Sequence, residues 1–218
     1  MRLNADFSER VVVRPEGYRW VDSPMPGVER MMLDRIGDEV ARATSLVRYV
    51  PNSSFSRHEH TGGEEFFVLE GEFRDEHGSY PAGTYVRNPI GTAHTPSIGE
   101  QGCVIFVKLQ QFEQEDQSQF SIDTLNAEWV PGQVPGLEVM NLHEFGTEQV
   151  ALVKWAPHTQ FKAHTHWGGE EIFVIEGEFF DEHGAYPAGS WIRNPHKSRH
   201  VPYTDAAGAL IYVKVGHL

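Results

Sequence analysis

Four side chains able to ligate a metal recur twice, in the same order and at the same spacing. His58, His60 and Glu64 form a His-x-His-x-x-x-Glu run, and His94 follows thirty residues after Glu64. His164, His166 and Glu170 form the same run, again with His200 thirty residues on, and all four positions are shifted by 106 residues. In an extended strand residues i and i+2 face one side, so each His pair points together. The glycine pairs that follow, Gly62-Gly63 and Gly168-Gly169, let the backbone turn and bring Glu64 or Glu170 back toward the imidazoles. Glu65 and Glu171, one residue later, are alternative ligands but should face the other way. His94 and His200 must arrive from a second strand. Three imidazoles and one carboxylate suit Zn, Fe, Mn, Ni or Co and suit Ca or Mg poorly.

The elements that position these residues are themselves duplicated. Between Phe55–Leu109 and Phe161–Val215 about 30 positions are identical without a gap, which is duplication of a whole domain. Upstream, Trp20, Pro26, Met31 and Leu33 match Trp129, Pro135, Met140 and Leu142 at a shift of 109, so the second copy lacks three residues between Gly146 and Leu152. A turn is the place for such a loss. The 218 residues therefore divide into a first domain at 1–110, a polar, Gln-rich linker at 111–124 and a second domain at 125–218. Short β-rich runs bounded by Gly, Pro or Asn lie at 43–50, 66–69, 84–86 and 103–109, and again at 150–155, 172–175, 190–192 and 210–215. No long segment has a helical apolar period. The expected fold is all-β, with a sandwich or barrel in each half.

Other repeated blocks read as architecture. Asp75-Glu76-His77-Gly78 and Asp181-Glu182-His183-Gly184 read as hairpin turns, with a second metal or interface site at His77 and His183 as the functional alternative. Arg87-Asn88-Pro89 and Arg193-Asn194-Pro195 are expected to hold loops by hydrogen bonds to backbone. Met31-Met32 reads as core packing. The copies differ near the quartets: Thr61 becomes Trp167, Gly91 becomes Lys197, Ala93 becomes Arg199 and Ser97 becomes Tyr203. The second site is thus expected to be bulkier and more basic, with Lys197 or Arg199 available to an anionic substrate.

These residues resemble the cupin superfamily. Its first motif is matched by His58, His60, Glu64 and Gly71 and by His164, His166, Glu170 and Gly177, without the leading glycine. Its second is matched by Gly83, Pro89, Gly91 and His94 and by Gly189, Pro195 and His200. Lys197 replaces one glycine, and Ile98 and Thr204 stand where the closing asparagine is expected. More narrowly, Asp75 to Pro89 with Gly102 to Leu109 resembles the cupin-like domain of ChrR-type anti-sigma factors. That resemblance implies a bicupin of two tandem jelly-roll β-barrels, a metal held by three His and one Glu per domain, and responses to singlet oxygen and peroxides. Sigma-factor inhibition in that family implies a separate helical zinc domain with a His and a Cys-x-x-Cys, a motif that a chain with one cysteine does not supply.

Composition narrows the partners. With 31 acidic and 18 basic residues and a net charge of −13, the chain lacks the basic footprint for nucleic acid or an anionic membrane. Its single cysteine, Cys103, lies in an apolar run, excludes an intrachain disulfide and reads as core. The opening residues contain no signal-like apolar stretch and no run reaches membrane-spanning length, so a cytoplasmic location is expected.

The leading functional expectation is a regulatory, stress-sensing metalloprotein in transcription control. Its partner would be a sigma factor or other regulatory protein, or a small-molecule effector, and a homodimer is a further option. Zinc at each of two sites is the first expectation, since four protein ligands close a tetrahedral shell; iron, manganese and nickel are the alternatives. The alternative function is a metal-dependent dioxygenase or related oxidoreductase acting on a small oxygenated substrate, in which Glu64 could serve as a base. A non-catalytic sugar-binding or storage-type cupin ranks below both.

Overall fold

The computed structural model describes all 218 residues. Apart from one 3-10 turn at Pro15–Gly17, every regular element is a β-strand. Two compact units result. The first comprises residues 1–5 and 19–127, the second residues 6–18 and 128–218.

In the first unit the main sheet runs Arg2–Leu3, Val28–Gly37, Ala41–Tyr49, Ser97–Leu109, Glu64–Asp75, Thr84–Asn88 and Phe120–Asp123 in lateral order. The second unit repeats this as Val130–Pro131, Leu137–Phe145, Glu148–Trp155, Tyr203–Val215, Glu170–Asp181, Trp191–Asn194 and Val11–Val13. Each unit adds a two-stranded ribbon, His58–Glu59 with Ala93–His94 and His164–Thr165 with Arg199–His200. Each is a jelly-roll barrel, and the three-residue difference between copies falls in the hairpin between Val28–Gly37 and Ala41–Tyr49, a turn as expected.

Alternation along Glu64–Asp75 decides what faces the barrel interior. Phe66 and Val68 point inward to a core with Val47, Phe73, Ile105 and Val107. Glu64, two residues before Phe66, lies on the same face. Glu65 lies on the other face, where it is buried against Arg87 at 2.8 Å and Tyr85 at 2.6 Å. A bulge terminates this regular pairing. Gly71, at φ +71°, sits so close to the Gly102 carbonyl that a Cβ would lie 1.9 Å from it, and Gly177 repeats the contact with Gly208 at 2.2 Å. Cys103, opposite Gly71, is buried core as expected, and burial pushes its thiol up to about 12.

The leading segment of each copy completes the sheet of the other copy's barrel. Val11–Val13 pairs with Trp191–Asn194, and Phe120–Asp123 pairs with Thr84–Asn88. Val11 opposes Arg193 just as Phe120 opposes Arg87. The stretch expected as a linker therefore carries a strand, together with the buried Asp116 that accepts a hydrogen bond from Arg87 at 2.5 Å. Residues 6–18, expected in the first domain, fold with the second. Arg10 anchors them. It donates to Asp181 at 2.9 Å, Tyr186 at 2.6 Å and Asn194 at 2.8 Å. Arg10→Ala should cost about 2 kcal/mol of stability, since a buried carboxylate loses a charge-assisted partner. Denaturant unfolding followed by the fluorescence of Trp155 and Trp191 reads this, and an unchanged midpoint would contradict the anchoring role.

Candidate metal centres

Strand pairing assembles each quartet. In the ribbon, His94 lies directly opposite His58, so the distant His meets the His-x-His pair by register. His200 meets His164 in the same way. Gly63, at φ +79°, makes the turn that returns the chain to Glu64; a Cβ there would fall 2.3 Å from the Phe112 ring. The result gathers His58, His60, Glu64 and His94, and His164, His166, Glu170 and His200, each set with one ligand atom per residue within 4.8 Å of the others. Except for His58 and His164 these residues are buried.

Hydrogen bonds on the far side of each ring decide which nitrogen faces the centre. In the first unit every Nδ1 has an oxygen acceptor: the Ser56 carbonyl at 3.3 Å from His58, the Thr92 hydroxyl at 3.0 Å from His60 and Asp75 Oδ2 at 3.1 Å from His94. Thr92 spends its own proton on the Pro89 carbonyl at 2.6 Å, so it must accept from His60. With Nδ1 protonated, each Nε2 carries its lone pair inward. The His94 Nε2 lies 3.1 Å from that of His58 and 3.3 Å from that of His60, and Glu64 Oε1 is 3.4 Å from His60 Nε2. In the second unit His166 Nε2 and His200 Nε2 are buried without any hydrogen-bond partner. Donor atoms about 3 Å apart are what ligand distances of about 2.0–2.2 Å require. Residues and spacing thus fit a divalent ion in each unit.

Electrostatics favours the same state at His60 and His166 and opposes it at His94 and His200. Burial pulls the His60 imidazole below its usual range and His166 down to about 4, so both stay neutral with the lone pair free. Burial lowers His94 and His200 too, but the Asp75 hydrogen bond to His94, the Asp181 carboxylate 3.5 Å from His200 and the neighbouring carboxylates outweigh it, and the net direction is upward. Glu64 accepts one hydrogen bond, from Asn88 at 3.3 Å; Glu170 is held more tightly, by Asn194 at 2.8 Å.

Several sequence expectations need correction at this level. Asn88 and Asn194 hydrogen-bond to Glu64 and Glu170, and Arg87 bridges Glu65 and Asp116, so these three side chains act on carboxylates and not on loop backbone, whereas Arg193 does donate to backbone as expected, to the Asp6 carbonyl at 2.9 Å. The Asp75-Glu76 turn does more than close a hairpin. Asp75 holds the His94 ring while Glu76 accepts the Thr95 backbone N–H at 2.7 Å; Glu182 does the same for Val201 at 2.8 Å. Recurrence of the block at the ligand shift of 106 was the available signal. His77 and His183 themselves are exposed, outside both quartets.

Each quartet forms part of a cavity wall. The first cavity, about 350 Å³, is lined by His58, His60 and Glu64 together with Arg30, Arg35 and Tyr49. The second, about 440 Å³, is lined by His164, His166, Glu170 and His200 with Leu137, Val139, Trp155, Phe161 and Ile211. Lys197 and Arg199 are exposed and line neither, so the expectation of a more basic second site is reversed. Bulk is confirmed in Trp167, which is 67% exposed beside the second cavity.

Comparison with known proteins agrees with this construction. No curated protein matches the sequence significantly. Solved structures share the fold at low identity. A candidate dioxygenase of Nostoc punctiforme PCC 73102 has TM-score 0.79 and 16% identity over 95% of this chain and 82% of its own. A candidate glyoxylate-induced protein of Pseudomonas aeruginosa has TM-score 0.76 and 14% identity over 94% and 87%. Oxalate decarboxylase of Bacillus subtilis has TM-score 0.67 and 13% identity over 94% and 75%. No helix is long and apolar enough to cross a membrane. The family model described as the ChrR cupin-like domain matches twice, at residues 8–113 and 117–218, and the chain belongs to that family as a bicupin.

Proposed function

We propose that the protein is a metal-dependent oxidoreductase of the dioxygenase type, acting on a small oxygenated organic substrate. The observation that carries this reading is the cavity against each quartet. Four protein ligands on tetrahedral zinc complete a structural site, which has no use for substrate-sized space beside it. A six-coordinate ion held by the same four groups keeps two positions for exogenous ligands and supplies Lewis-acid or redox chemistry there. Iron, manganese and nickel are therefore favoured over zinc. The chain's own contribution is to hold the imidazoles with their lone pairs inward and to keep the site within an apolar barrel. Glu64, held by a single 3.3 Å hydrogen bond, is the better placed of the two carboxylates to take a proton from a substrate. The names of the structural neighbours, a candidate dioxygenase and an oxalate decarboxylase, support enzymatic use of the fold.

A second reading draws on the family description. In it the protein is a stress-sensing regulator in transcription control, the cavities take an effector, and a sigma factor or other regulatory protein is the partner.

Elemental mass spectrometry on protein purified without a metal-affinity tag should find two ions per chain, with one lost in each of His60→Ala and His166→Ala; absence of metal from every preparation would overturn the proposal. Asp75→Asn should weaken metal affinity at the first site by about 10–100-fold, because it removes the anion that orients His94 and raises its basicity. Metal competition with a chromophoric chelator measures this. Iron- or manganese-loaded protein should consume oxygen in the presence of a small enolisable carbonyl compound, and His60→Ala should consume less. Zinc at both sites with no uptake would favour the regulatory reading.

A further inference from the structure

The same wall of the two barrels carries different charge. In the first unit Val28–Gly37 pairs with Ala41–Tyr49, and the register slips between Met32 and Asp34. Strict alternation would put Arg30 and Arg35 on opposite faces. The extra residue, Leu33, returns Arg35 to the face of Val28 and Arg30, and all three line the first cavity. The bulge therefore aims two guanidinium groups toward the space that His58, His60 and Glu64 also border.

Of these two cations only Arg30 makes a side-chain ion pair. Arg30 reaches only Glu39, through two contacts of 3.4 Å, and the Glu39 side chain is 66% exposed. Arg35 is buried and donates to the backbone carbonyls of Asp38 and Glu39 without an ion pair within 4.0 Å. Burial, and next the charge of Arg30, lower the pKa of Arg35. Two neighbouring guanidiniums on one concave wall offer an anion a local positive charge, with Glu39, Glu59 and Glu64 the carboxylates that border the same cavity. At the matching positions the second copy has Val139 and Glu144. Val139 lines the second cavity, Glu144 is exposed, and no Arg or Lys lines that cavity. The phenol of Tyr49, bordering the first cavity, is likewise replaced by the indole of Trp155 in the second.

We propose that the first unit, and not the second, takes a small organic anion: a carboxylate gripped by Arg30, with a further oxygen directed at the His58, His60, Glu64 and His94 quartet. Arg30 offers the planar fork that binds a carboxylate through two hydrogen bonds. Arg35 adds charge from behind, its own N–H groups being engaged with backbone. The inference rests on the metal-centre reading and gives the first cavity its substrate class. The second cavity, lined by Leu137, Val139, Val153, Trp155 and Phe161, suits an uncharged molecule.

Calorimetric titration of metal-loaded protein with oxalate tests the proposal, with metal content measured on the same samples. One oxalate per chain is expected. Arg30→Met should weaken binding by about tenfold or more and Arg30→Lys by less, each variant keeping two ions. His166→Ala, which removes the second quartet, should leave oxalate binding unchanged. Equal affinity in Arg30→Met, two equivalent oxalate sites per chain, or no binding by fully loaded protein would overturn it. A chain that holds no ion fails at the elemental measurement instead, and that result overturns the underlying metal reading separately.

Discussion

Three imidazole lone pairs and a carboxylate converge on one point inside an apolar barrel, and the rest of each unit is arranged to hold them there. Such a cluster is costly in isolation, because buried acceptors facing one another gain nothing from water or protein. A divalent ion turns the cost into binding energy, and linkage then adds that energy to the folded state. The surrounding contacts make sense as supports for this arrangement. Asp75, Thr92 and the Ser56 carbonyl fix the ring tautomers. Asn88 and Asn194 fix the carboxylates, and the ribbon pairing sets the His58–His94 register.

Duplication preserved that machinery and released the cavities to diverge. The quartets, the asparagines and the Asp-Glu turns are the same in both copies, while Arg30, Ser45 and Tyr49 give way to Val139, Ala151 and Trp155. On the proposed reading the chemistry at the ion would be shared, and selection of the small molecule would fall to the strands opposite. The supports also differ in detail. Arg10 and Tyr186 both engage Asp181, which stands 3.5 Å from His200, whereas Asp75 has no arginine partner and lies 3.1 Å from His94. Since a carboxylate beside the far nitrogen of a metal-ligating imidazole tunes the ring's basicity, the two ions would sit in measurably different environments.

Much of this was legible in the chain. The ligands follow from two strand properties, the period of two that pairs His58 with His60 and the glycine turn that returns Glu64, and duplication made both visible twice. Alternation also separated Glu64 from Glu65 correctly. Long-range choices were not legible. Val11-Val12-Val13 and Phe120-Ser121-Ile122 share almost no identity, and nothing local says which sheet edge each will join, so the exchanged segments looked like a domain start and a linker. The reach of Lys197 and Arg199 failed for a related reason. Sequence proximity to a ligand places a residue on the ribbon, but the ribbon's exposed side carries it away from the cavity. The arginines that do line a cavity come from another strand, where alternation sets the direction of Arg30 and a one-residue bulge that of Arg35.

The central claim is that each quartet holds an ion with room for a further ligand. X-ray absorption at the metal edge, on protein as purified, tests it most directly. Five- or six-coordinate ions with three imidazole scatterers, a carboxylate oxygen and at least one non-protein oxygen are expected. A four-coordinate shell filled by protein groups alone would contradict it, as would a coordination sphere without histidine.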